Sequence, residues 1–345
     1  MRLEKNSQED DSGGAGIGAS RAVRTQAQHT EPDQAATADL PEHYANGQQA
    51  GQGGQGGEGG HPPAAAPVTR RWPIRTGRNL PAALGVALIL GGLVVLTLFT
   101  VKATFLLYVG IIVTLALFEL SRALGSREIH LPLIPITIGG VAMVTLAYWT
   151  QTKWALAALA VTGIGVLTWR LRGGAAGYVR DVTAGLFTLL YLPLAAVFVA
   201  LMLSEADGAR RAFIFVVLTV CSDTGGYLAG ILLGKHALVP SISPKKTWEG
   251  LGGSTVLCLA AGALAVPGLL GGALWQGLLL GVAAVAVATV GDLVESMIKR
   301  DLEIKDMGHL LPGHGGIMDR LDSLLVMAPV VWLLLALFVP NGHSV

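Results

Sequence analysis

Apolar residues in this chain run in blocks of roughly 17–23 positions, separated by short polar stretches, and each block is long enough to cross a ~30 Å hydrocarbon core as a helix. Nine such spans are predicted, at about 81–100, 103–119, 131–149, 153–169, 182–204, 211–229, 250–268, 271–291 and 323–339. The fold class that follows is all-α: a polytopic integral membrane protein of about nine transmembrane helices. Ahead of them, residues 1–67 form a Gly- and Gln-rich segment with too little apolar surface to offset the entropy of ordering, so a disordered tail is expected. It lacks the charged, apolar and small-residue succession of a cleaved signal peptide, and is expected to be retained. Residues 68–345 form the membrane domain.

Composition agrees with this pattern. The chain is 52% hydrophobic and 14% charged, with a mean hydropathy of +0.57. Cys221 and Cys258 lie in apolar segments without metal-type spacing and read as small core residues. The distribution of the charges says more than their sum of +1. Arg70, Arg71, Arg75 and Arg78 precede the first span, which places the amino terminus and tail in the cytoplasm by the positive-inside bias. Counting forward puts four basic loops on that side: Arg122 with Arg127; Arg170, Arg172 and Arg180; Lys235, Lys245 and Lys246; and Lys299, Arg300, Lys305 and Arg320. Arg210 and Arg211 weaken the contrast at one opposite loop.

Two of those loops carry chemistry. The first contains Asp223-Thr224-Gly225-Gly226-Tyr227, Gly234-Lys235-His236 and Ser243-Pro244-Lys245-Lys246-Thr247-Trp248-Glu249-Gly250. Asp223 lies in or at the end of an apolar segment, where an unpaired carboxylate is costly; it is either one half of an interhelical salt bridge or a substrate or metal contact. Lys245 and Lys246 fit simple anchoring, but Ser243-Pro244 before them and Thr247 to Gly250 after them favour a site. Gly225 and Gly226 are equally at home as helix-packing residues.

The second loop is richer. Continued as a helix, the eighth span would bring Asp292, Glu295 and Lys299 onto one face, and Asp319 and Asp322 share a face of the helix leading into the last span. Two such faces can hold a hard divalent cation through oxygen, as Mg²⁺ is held at phosphoryl-transfer sites. Gly313, Gly315 and Gly316 could offer backbone amides to an anion, and Lys299, Arg300, Lys305 and Arg320 supply counter-charge for phosphates. His309 and His314 read equally as turn residues or titrating groups.

The run from Ser296 to Asp322 resembles the signature of the phosphatidate cytidylyltransferase (CDP-diacylglycerol synthase) family throughout, and the upstream motifs resemble that family's second conserved region. The specific likeness covers about 220–325, the expected catalytic region. It implies transfer of a cytidylyl group from CTP to phosphatidic acid, with release of pyrophosphate, in phospholipid biosynthesis. It also implies Asp292, Asp319 and Asp322 as metal ligands, with Asp223 beside them. Lys245, Lys246, Lys299, Arg300 and Lys305 would hold the triphosphate or the lipid phosphate, and His314, Gly315, Gly316 and Arg320 would line the nucleotide site. Mg²⁺ is the implied cofactor, with room for K⁺ as a second ion. The implied partners are CTP, phosphatidic acid and membrane lipids; nucleic acid is not expected, and a homodimer is left open. The expected location is the plasma membrane, multi-pass, with a cytoplasmic active site. Two alternatives fit less well. A CDP-alcohol phosphatidyltransferase needs Asp-Gly-x-x-Ala-Arg and a different aspartate spacing. A secondary transporter for an anionic solute needs comparable broken helices in both halves.

Overall fold

The computed structural model describes residues 80–150, 152–308, 310 and 315–339. The tail over 1–67, the arginines at 70, 71, 75 and 78, and His309, Gly313 and His314 lie outside the described residues. Among the described residues ten α-helices follow one another: α1 (Leu80–Thr100), α2 (Lys102–Gly125), α3 (Leu133–Thr150), α4 (Thr152–Arg170), α5 (Tyr178–Tyr191), α6 (Pro193–Ser204), α7 (Gly208–Leu233), α8 (Trp248–Leu270), α9 (Leu274–Asp301) and α10 (Met318–Phe338). Among the described residues, eight helical segments are long and apolar enough to cross a membrane, with α5 and α6 counted as one. The described apolar part of α1, Gly91–Thr100, adds a shorter one. The protein is therefore an all-α polytopic membrane protein, and the nine expected spans each find their helix.

Three details of these elements bear on the site. The fifth span is broken at Leu192–Pro193, because proline has no N–H to continue the α5 ladder and instead opens α6 at its first position. The eighth runs on past its apolar block as α9 to Asp301, so Asp292, Glu295 and Lys299 are helical and share a face as expected. Between α7 and α8 lies an antiparallel hairpin, β1 (Ala237–Val239) with β2 (Ser243–Thr247).

Small residues draw the carboxyl-terminal helices together. A methyl group at Gly225 would meet the Gly253 carbonyl oxygen at 2.6 Å, and Ser254 Oγ of α8 donates to the Ser222 carbonyl of α7 at 2.6 Å. A methyl at Gly291 of α9 would meet the Asp322 carbonyl oxygen of α10 at 2.5 Å. Gly225 is thus a packing residue, and Gly291 lets the two carboxylate-bearing helices touch at the level of Asp292 and Asp322. At the other end of α7, the buried Arg211 pairs with Asp207 at 2.7 Å and donates to the carbonyls of Leu335 and Val339, closing the α10 carboxyl terminus. Arg210 donates to the Leu269 carbonyl at the end of α8. These two arginines serve helix ends.

Candidate active site

The hairpin is built by its own motif residues. Thr247 caps α8 by accepting from the Gly250 amide at 3.0 Å. Glu249 accepts from the amides of Lys235 and His236 at 3.1 and 3.2 Å and meets His236 Nδ1 at 2.6 Å. Lys245 and Lys246 are thereby fixed on β2 above a cavity of about 340 Å³, which Asp223, Tyr227, Thr289 and Asp292 also line.

Lys246 reaches the Asp292 carboxylate in an ion pair, and Asp292 accepts from Ser323 Oγ at 2.6 Å, joining hairpin, α9 and α10. Burial lowers the Lys246 ammonium pKa below the usual lysine value, against the opposing pull of Asp322, Asp223 and Glu295. Lys299 bridges Glu295 Oε2 at 2.7 Å and Asp319 Oδ1 at 2.6 Å. Asp319 also accepts from the Met307 amide at 3.1 Å and from the Gly316 amide at 2.9 Å, which ties the start of α10 to the loop before it. Asp322 Oδ1 accepts from the neighbouring Ser323 amide at 2.8 Å.

Asp223, Asp292, Glu295, Asp319 and Asp322 line one cleft of about 560 Å³, together with Lys246, Lys299 and Arg320. The structure thus brings together every carboxylate singled out from the sequence. Arg300 and Lys305 are exposed and line none of the described cavities. Gly315 sits in the left-handed region at φ 82°, and the Gly316 amide is directed at Asp319. Ser323 and Glu119 were missed by the sequence reading. Glu119 is 3% exposed on α2 and accepts from the amides of Met318 and Leu310, at 2.9 and 3.4 Å. A lone acid in an otherwise apolar span was the signal that could have found it.

No three His, Cys, Asp or Glu side chains among the described residues are gathered closely enough to hold a metal ion in this arrangement. The donor set nevertheless fits a hard cation. Five carboxyl groups share the cleft with three cationic side chains, more oxygen donors than those cations occupy, and the buried Glu295 Oε1 has no hydrogen-bond partner.

A third cavity, of about 260 Å³, runs between α1, α2, α6, α7 and α10 and is lined by Phe105, Tyr108, Val199, Phe215 and Leu324, among others. Asp223 and Arg320 close its polar end. Asp223 lines all three cavities, so a site lined by the two lysines of β2, a charge-rich cleft and an apolar slot meet at one carboxylate.

An apolar slot that shares Asp223 and Arg320 with a cleft of lysines and carboxylates suits a membrane-embedded enzyme acting on a phosphorylated lipid. The cytidylyltransferase family profile matches residues 82–338, and the chain belongs to this family. It is similar to the phosphatidate cytidylyltransferase of Mycobacterium leprae, at 43% identity over 279 residues covering 76% of this chain and 89% of the relative. The enzyme of the same name from Mycobacterium bovis is 40% identical over 276 residues, covering 76% and 90%. That of Staphylococcus epidermidis is 32% identical over 229 residues, covering 64% and 86%.

Proposed function

We propose that the protein is a phosphatidate cytidylyltransferase, joining CTP and phosphatidic acid into CDP-diacylglycerol and pyrophosphate. The observation that carries this reading is the meeting of the three cavities at Asp223. The slot takes acyl-chain carbons, the lysine-lined cavity takes the nucleotide's phosphates, and the cleft between them is where the reacting phosphates approach.

A phosphate monoester has a second pKa near ~6, so phosphatidate is largely dianionic at neutral pH and needs no dedicated base. One of its oxygens forms a bond to the α-phosphorus of CTP, and the bond from that phosphorus to the β-bridging oxygen breaks, releasing pyrophosphate. The barrier is repulsion between two anions, so the work of the side chains is positioning and charge neutralisation. Lys246 and Lys299 exchange carboxylate partners for phosphate oxygens as substrates enter. Lys245 extends the same grip at the mouth of the hairpin cavity, and Arg320 sits where the slot ends, at the height of the lipid phosphate. Arg300 and Lys305 attract substrate from outside the cleft. Asp292, Asp319 and Asp322 would hold a divalent cation, which the oxygen donors suit to Mg²⁺, and which would neutralise phosphate charge. Breaking the Lys246–Asp292 and Lys299–Asp319 pairs would release those carboxylates for it; K⁺ is a candidate second ion. The proposed setting is the plasma membrane, with the site facing the cytoplasm, where CTP is.

Purified protein in detergent, given phosphatidic acid, Mg²⁺ and CTP, is expected to release pyrophosphate and make a lipid-soluble cytidine product, and a chelator is expected to stop both. Absence of any such product with folded protein would overturn the assignment.

A further inference from the structure

Glu119 stands far from the substrate-facing carboxylates in sequence and does something different from them. Its carboxylate is inserted between the loop after α9 and the first turn of α10. Oε2 accepts from the Met318 amide at 2.9 Å and Oε1 from the Leu310 amide at 3.4 Å. Met318 opens α10, and its amide is among those that a helix leaves without an internal partner; Ile317, at the cap position, has no side chain able to accept it. Glu119 therefore supplies from another helix what an N-cap side chain supplies locally, and its negative charge suits the positive end of the α10 dipole.

The glycines on either side make room for it. A side chain at Gly308 would run into the Glu119 carboxyl group. A methyl at Gly316 would lie 2.7 Å from Glu119 Oε2 and 2.8 Å from Asp319 Oδ2. Asp319 and Asp322 lie in the first two turns of the helix that Glu119 caps, so their distance from α9 depends on where that helix begins.

We propose that Glu119 is a positioning residue for the reaction: held in α2, it fixes the start of α10 with Gly308 and Gly316 packed beside it, and through them the placement of Asp319 and Asp322 against α9. The catalytic part of this inference rests on the proposed cytidylyl transfer; the structural part does not. It separates Glu119 from a merely buried acid, because it predicts coupling to particular glycines and a kinetic loss that falls on kcat rather than on KM.

The test uses full-length protein in detergent. Glu119→Gln is nearly isosteric but sets an NH₂ donor or a weaker neutral acceptor against the two amides. Without substrates, hydrogen exchange over 306–322 is expected to quicken by about tenfold, as loss of one charge-assisted hydrogen bond implies. Exchange unchanged from wild type would overturn the anchoring whether or not the protein transfers cytidylyl groups. In turnover, kcat is expected to fall by about tenfold or more with KM for CTP within about twofold. A KM effect with unchanged kcat would overturn the positioning role. Gly308→Ala, harmful in the wild type, should cost nothing further in a Glu119→Ala background, since the group it collides with is gone; additive losses would count against the contact.

Discussion

Lys246 sits where burial opposes its charge and three carboxylates sustain it. A lysine kept only to orient the chain would tolerate arginine, because both satisfy the same charge bias. A lysine gripping a phosphate would not, because an ammonium is a compact point charge and a guanidinium a wide planar fork. A lost charge-assisted hydrogen bond costs roughly 1.5–3 kcal/mol, and about 1.4 kcal/mol is tenfold in rate. Lys246→Ala is therefore expected to lower kcat/KM at least about tenfold, with Lys246→Arg between it and wild type. Steady-state assays at matched expression check this, and wild-type values in both variants would return Lys246 to an anchoring role. Residues of this kind were legible in the sequence because they stand in motifs whose spacing is local. Asp319 and Asp322 lie three apart on one helix, and Asp292 and Glu295 likewise. Glu119 was not, since its partner Met318 lies 199 positions away and no spacing rule spans that distance.

Helices in apolar blocks were legible almost throughout, because a bilayer leaves a segment of that length and hydropathy little alternative. What the blocks did not reveal were breaks and extensions decided by single residues or by tertiary partners. Pro193 divides a span whose hydropathy is continuous. Polar residues at the end of α9 remain helical because Glu295, Lys299 and Asp319 pair there. The hairpin hides in a short polar loop with no long alternating pattern to betray it. Arg211 illustrates the same limit: its position conflicts with the charge bias until its contacts with Asp207 and the two α10 carbonyls are seen. Arg211→Met would strand the partly buried Asp207 carboxylate and two carbonyls, a loss of about 3 kcal/mol. The thermal midpoint in detergent should drop by several degrees. An unchanged midpoint would mean that the α10 terminus does not depend on this closure.

For the whole molecule to hold a single site, the hairpin and the start of α10 must open on the same side of the membrane. A single cysteine introduced in 235–249 or at 303–305, with Cys221 and Cys258 replaced, should react with an impermeant thiol reagent only from the cytoplasmic face of sealed vesicles. One near Glu205 should react only from the other face. Labelling of the two loops from opposite faces would divide the site in two. If one cleft joins a nucleotide to a lipid phosphate, the α- and γ-phosphates of CTP must part there and leave in different products. With purified protein, phosphatidic acid and Mg²⁺, label in the α-phosphate of CTP is expected to pass into the lipid phase, and label in the γ-phosphate to appear wholly in pyrophosphate, one for one. Transfer of the γ label to lipid, or pyrophosphate release without lipid-borne α label, would exclude cytidylyl transfer to the lipid.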